Sequence, residues 1–170
     1  GSDYDFLTTS DSGYFYGISE EIDEQDSFIE KYELSHPPQG KPVGKSQQFQ
    51  SLMMVGMYRG LNAVDSGISL KDVSMYFSPF VFALAVIGAF LAARELGGDL
   101  AGCASSLLIS TLVGSVYWTK IGALDREITL IFFGVWMFYL LAKIYKARDI
   151  EILKYSVITG LLYGLFLITW

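Results

Sequence analysis

The sequence predicts an all-α integral membrane protein: a multi-pass helical bundle preceded by a long, partly helical polar loop. Three observations carry that expectation. Hydrophobic residues make up 52% of the 170 residues, and the mean hydropathy is +0.38. A soluble domain of this length is rarely so apolar. The charges are also unevenly placed, since the first 51 residues hold ten of the 18 acidic residues and three of the 12 basic ones. Finally, long uncharged runs follow. Residues 73–93, VSMYFSPFVFALAVIGAFLAA, and 100–119, LAGCASSLLISTLVGSVYWT, contain no charge. As helices each is about 30 Å long, enough to cross the hydrocarbon core.

Two further runs complete the bundle. Residues 128–142, ITLIFFGVWMFYLLA, are uncharged. Lys143 and Lys146 lengthen this run to 128–146, because lysine stems snorkel toward the headgroups. Residues 155–170 begin a further membrane helix that is still apolar at Trp170. Small residues recur along these runs, including a GxxxG at Gly160 and Gly164, and suit close helix packing in lipid. A polar beginning and an apolar end lead us to expect a fragment, with at least one helix upstream and a further part downstream.

The predicted spans put residues 1–72 and the 120–127 loop on one face of the membrane. The 94–99 turn and the 143–154 loop share the other. Near the membrane ends, Arg94, Lys143, Lys146, Arg148 and Lys154 on the second face outnumber Arg59, Lys71, Lys120 and Arg126 on the first. By the positive-inside rule the second face is cytoplasmic. The acidic balance argues against nucleic-acid binding, which needs a basic footprint. A single cysteine, Cys103, supports no disulfide framework.

Residues 1–72 hold too many large apolar residues for a solvated tail. DSGYFYGISEEIDEQD reads as a turn at Asp11-Ser12-Gly13 followed by a helix. SHPPQGKPVG reads as a stiff connector. In residues 46–64, Phe49, Leu52, Met53, Met57, Leu61 and Val64 recur at helical spacing. Gly56 and Gly60 lie on the same face. This is an amphipathic helix that lies on the membrane surface or packs on the protein.

Asp125-Arg126-Glu127 stands at the mouth of the third apolar run. In one continuous helix Asp125 and Glu127 point about 200° apart, so they converge only if Asp125 lies in a non-helical entry turn. The simpler role is capping by Asp125 and dipole complementation by Glu127. Asp11 has a comparable simple role in turn chemistry. Together, Asp11, Asp125 and Glu127 bring three carboxylates to one membrane face, a donor set suited to Mg²⁺ or Mn²⁺. His36, beside two prolines, reads as a loop residue. No zinc spacing, Walker loop, dinucleotide fingerprint or Ser-His-Asp set is present.

In this order, LTTSDSGYFYGISEEI, SHPPQGKPV, the amphipathic helix, FSPFVFALAVIGAFLAARELGGDLAGCASSLLIS and IGALDREI resemble the first part of the catalytic subunit of oligosaccharyltransferase, in its archaeal AglB-like form. The resemblance covers nearly the whole chain. It implies a GT-C-type glycosyltransferase fold and transfer of an oligosaccharide from a polyprenyl (dolichyl) phosphate or diphosphate donor. The implied acceptor is asparagine in Asn-x-Ser/Thr, with inversion at the anomeric carbon. It also implies an active site on the extracytoplasmic face of an archaeal cell membrane. By the same resemblance Asp11 is the catalytic aspartate of the first external loop, and Asp11, Asp125 and Glu127 hold Mn²⁺ or Mg²⁺. Tyr14 and Tyr16 are candidates to line the acceptor site, with packing as the simpler role. The sequence departs from the family at Thr9, where an acid often stands, and at Trp118, where an arginine usually does. WWDYG, the family's acceptor-recognition motif, is absent from these residues, and the fragment alone is expected to be inactive. Two other readings stay open: a protein O-mannosyltransferase-like enzyme, to whose connector HPPQGK is similar, and a non-catalytic membrane subunit.

Overall fold

The structure, a computed structural model, describes residues 7–33, 35, 39–44 and 48–169. His36, Pro37 and Pro38 of the SHPPQGKPVG connector lie outside the described residues. The elements run in the order α1 (Ser10–Gln25), β1 (Lys31–Tyr32), β2 (Lys41–Pro42), α2 (Phe49–Asn62), α3 (Leu70–Thr111), α4 (Val113–Trp118), α5 (Arg126–Lys146) and α6 (Ile150–Thr169). The fold is all-α in character, with one short antiparallel pair, β1 against β2. Three helices, α3, α5 and α6, are long and apolar enough to cross a membrane. The chain divides into two compact units. The first comprises the described residues up to Pro79, Lys120–Arg126 and Thr169, and the second comprises Phe80–Thr119 and Glu127–Ile168.

In the first unit α1 is helical because its inward positions repeat at helical spacing: Ser12, Phe15, Ser19 and Ile22 are all buried. The expected turn at Asp11-Ser12-Gly13 is instead the first turn of this helix. Asp26 ends it in the left-handed conformation (φ 50°), as helix C-termini favour. Ile18, Ile22, Ile29, Tyr32, Val43 and Val55 form one apolar core against which Tyr14, Leu52 and Leu70 pack. Gln48 is fully buried and acts as a substitute strand. Its Oε1 accepts from the Ile29 N–H at 3.0 Å, and its Nε2 donates to the Ile29 and Val43 carbonyls at 2.6 and 3.3 Å.

Helix α2 packs through a different face from the one its apolar stripe suggests. Gln50, Ser51, Met54 and Val55 are the buried positions. Ser51 Oγ donates to the Phe15 carbonyl of α1 at 3.0 Å. Along the predicted stripe, Gly56, Gly60, Leu61 and Val64 are exposed. Ser51, small enough to sit directly against the α1 backbone, shares this buried face with Met54 and Val55.

In the second unit α3 kinks at Gly98 (φ 81°), a conformation that costs a glycine little. Beyond the kink Gly102 lies against Phe90; a Cβ there would meet the Phe90 ring at 2.9 Å. The 100–119 run is not one helix. Leu112 is extended (ψ 130°) and separates α3 from α4. The 143–154 segment is mostly helical too, with only residues 147–149 between α5 and α6. Lys143, Lys146, Glu151 and Lys154 therefore sit on helix ends, while Arg148 and Asp149 lie in the short connection. Helices α3 and α5 meet where Gly88 leaves room for Val135 and Trp136. The Trp136 indole N–H donates to the Leu84 carbonyl at 3.2 Å.

Candidate functional site

The loop 120–125 is held on both sides within the first unit. Gly122 takes a positive φ of 77°, so its backbone can turn sharply. Its N–H donates to the Met75 carbonyl of α3 at 2.9 Å, and its carbonyl accepts from the Thr8 N–H at 3.1 Å. One residue on, the Ala123 carbonyl accepts from Ser78 Oγ of α3. The Leu124 N–H donates to Ser12 Oγ of α1 at 2.8 Å, a buried bond between residues 112 positions apart. Ser12 Oγ also pairs with Thr9 Oγ1 at 2.5 Å. Thr9 is the N-cap of α1, yet its side chain makes no capping bond. Its hydroxyl serves the clamp.

Ala123 and Leu124 are wholly buried, and Asp125 is only 6% exposed. Asp125 lies outside the helix, immediately before α5 begins at Arg126. Glu127 is exposed in the first turn of α5. Asp11 is exposed in the first turn of α1. Asp11 and Asp125 each adjoin one partner of the Ser12–Leu124 hydrogen bond.

Tyr14 and Tyr16 sit in packing positions. Tyr16 is 7% exposed. Tyr14 stands edge-on to Phe15 and Tyr32, with ring centroids 5.6 and 5.7 Å away. Burial raises the Tyr14 phenol above its usual pKa, and the positive charge of Arg126 partly opposes that. Its hydroxyl is buried without a hydrogen-bond partner among the described residues. Trp118 ends α4, stacked edge-on with Tyr117 at 4.7 Å.

The donor chemistry suits a hard divalent cation: two carboxylates adjoin one clamp, and the buried one needs a compensating charge. Among the described residues, however, no three Asp, Glu, His or Cys side chains gather closely enough to hold a metal ion. The described residues therefore form no complete cage. Sequence reasoning missed Ser12, Ser78 and Gly122, which set the position of the loop. Only their small size hints at burial.

The family model described as oligosaccharyl transferase STT3, N-terminal, matches residues 3–170. The chain belongs to the STT3 family. Among solved structures it is similar to the archaeal oligosaccharyltransferase AglB from Archaeoglobus fulgidus, determined in complex with an inhibitory peptide and a dolichol-phosphate. The TM-score is 0.75 at 20% sequence identity, over 97% of this chain. The chain spans 20% of the length of that AglB. No protein of curated function matches the sequence. Family membership and the three long apolar helices make this an integral membrane protein.

Proposed function

We propose that this STT3-family chain supplies half of the catalytic centre of an oligosaccharyltransferase. The whole protein transfers an oligosaccharide from a polyprenyl phosphate or diphosphate carrier to the side-chain amide of asparagine in Asn-x-Ser/Thr. The observation that carries the reading is the buried Leu124–Ser12 hydrogen bond, which ties the loop ending in Asp125 to the helix bearing Asp11.

An amide nitrogen is a weak nucleophile because its lone pair is delocalised into the carbonyl. A carboxylate that accepts hydrogen bonds from the amide N–H₂ group weakens that delocalisation. Asp11, exposed on a helix held by the clamp, takes this role. Asp125 and Asp11 contribute oxygen ligands to Mn²⁺ or Mg²⁺, with Glu127 as a further candidate. When bound, the ion offsets the charge developing on the leaving phosphate. Attack opposite the leaving group inverts the anomeric carbon. In this reading the centre lies on the extracytoplasmic face, with the lipid carrier's chain in the bilayer and its sugar outside.

The test uses the full-length protein in membranes with a lipid-linked oligosaccharide extract, a tagged Asn-x-Thr peptide and Mn²⁺. Asp11→Ala and Asp125→Ala should each lower glycopeptide formation by about 100-fold or more, the scale of losing a transition-state contact. EDTA should abolish it, and added Mn²⁺ should restore it. Glycopeptide that survives both substitutions would return these acids to helix-end chemistry. Transfer to serine or threonine hydroxyls instead would make the O-mannosyltransferase-like reading correct.

A further inference from the structure

Wholly within the second unit, a cavity of about 360 Å³ is lined by Leu91, Arg94, Glu95, Tyr139, Lys143 and Lys146. We propose that it binds the phosphate head group of an anionic membrane phospholipid.

The depth of the cavity is the first reason. Helix α3 carries no charge from Val73 to Ala93, and α5 none from Ile128 to Ala142. Charges just past the two runs meet: Glu95, next to Arg94 at the end of the first run, has its Oε2 2.8 Å from Nζ of Lys143, the first charge after the second run. The two apolar runs therefore end at one level, where hydrocarbon gives way to headgroups. A lipid phosphate occupies that level.

Charge is the second reason. Arg94, Lys143 and Lys146 face a single lining acid, Glu95. Lys143 holds Glu95 closely, while Lys146 Nζ stays 3.8 Å from its other oxygen and donates to the Glu95 backbone carbonyl. Arg94 pairs through Nε with Asp99 at 2.6 Å. Three cations against two carboxylates leave one positive charge in excess, which suits a phosphodiester. Basic pockets between membrane helices characteristically take anionic head groups.

The apolar wall is the third reason. Leu91 and Tyr139 line the cavity, and Ile87, one helical turn before Leu91, is 50% exposed. This surface suits an acyl chain and offers nothing to a free phosphate ion. The site is also remote from the acidic end of α5. Lys143 follows Glu127 by sixteen positions, about 24 Å along one helix at 1.5 Å per residue.

Native mass spectrometry of the full-length protein in detergent tests the proposal, with phosphatidylglycerol and phosphatidylcholine of matched chains as probes. Phosphatidylglycerol should be retained about tenfold better, and the double variant Lys143→Gln/Lys146→Gln should remove that preference. Arg148→Gln/Lys154→Gln, outside the cavity, should leave it unchanged. Glu95→Gln removes the competing acid and should strengthen phosphatidylglycerol binding, a gain that misfolding does not mimic. Equal retention of the two lipids would overturn the proposal. So would equal losses from the two lysine-bearing double variants, which would indicate diffuse surface charge. Displacement of the lipid by equimolar inorganic phosphate would also overturn it and mark a free-anion site.

Discussion

The two units differ in the polar side chains they bury. In the first, Ser12, Ser19, Gln48, Gln50, Ser51, Ser74, Ser78 and Asp125 are buried; in the second, the buried polar residues among those described are Ser115 and Thr129. The second unit instead leaves large apolar residues exposed, such as Leu100 at 84% and Phe138 at 68%. A membrane helix in lipid gains little by burying Leu against Leu, because hydrocarbon surrounds it either way. Its position depends on close packing and on charges at its ends. The first unit sets its position by hydrogen bonds inside a protein core, where each bond has one geometry and a missing partner is costly. The unit with Asp11 and Asp125 is therefore the one that a single lost atom should damage most.

Ser12→Ala is the strongest way to break that contrast. It removes the acceptor of the buried Leu124 N–H without touching a carboxylate. Stability should fall by about 1–3 kcal/mol, the cost of a buried donor left unpaired. Glycopeptide formation should fall further, by about 100-fold, because small misplacements of reacting groups are expensive. A parallel assay of Thr129→Ala in the second unit should show little loss, since the Thr129 hydroxyl has no hydrogen-bond partner among the described residues. Equal losses from the two variants would mean that the clamp is no more demanding than the helix bundle.

A glycine pair sharpens the same contrast at smaller scale. A Cβ at Gly17 would lie 1.9 Å from the hydroxyl of Tyr32, which is 6% exposed and held in the core. Gly17→Ala should cost about 1–3 kcal/mol through overpacking, read as a lower apparent Tm in detergent. A Cβ at Gly160 meets nothing within 4 Å. Gly160→Ala should be neutral or raise stability by up to about 1 kcal/mol through helix propensity. A destabilised Gly160→Ala would show that the GxxxG face is covered in the native membrane.

The second unit was the more legible from sequence, because a span is written in composition. A run of twenty uncharged residues specifies a membrane helix without naming its neighbours. The differences there are at ends and breaks: the interruption at Leu112 and the helical 150–154 region depend on local backbone choices that hydropathy does not encode. The candidate site was legible only as residue types. Asp11, Asp125 and Glu127 stand out by charge, and the segment count linked them on one membrane face before the resemblance gave them roles. Ser12 and Ser78 are ordinary serines whose role comes from contacts 112 and 45 residues away in sequence. The packing face of α2 misled for a related reason. Periodicity reports which face is apolar, not which face a hydrogen bond such as that from Ser51 to the Phe15 carbonyl holds against a neighbouring helix.

The smallest expected effect concerns charge in the first unit. The Glu21 carboxyl is raised above its usual pKa of 4.5, first by partial burial and then by the negative charges of Glu33 and Glu24. A raised carboxyl pKa means that the folded state binds the proton more tightly than the unfolded chain does. Its stabilising contribution is full below the unfolded pKa and is lost as pH rises through the folded one. At neutral pH Glu21 is ionised in both states, and its charge opposes folding. Glu21→Gln should therefore raise the apparent Tm at pH 7, by no more than the roughly 0.5 kcal/mol typical of surface substitutions. The gain should shrink toward zero as pH falls below about 4, where the wild-type carboxyl is itself neutral. A Glu21→Gln gain that persists unchanged at low pH would point to the amide's own packing or hydrogen bonding rather than to charge.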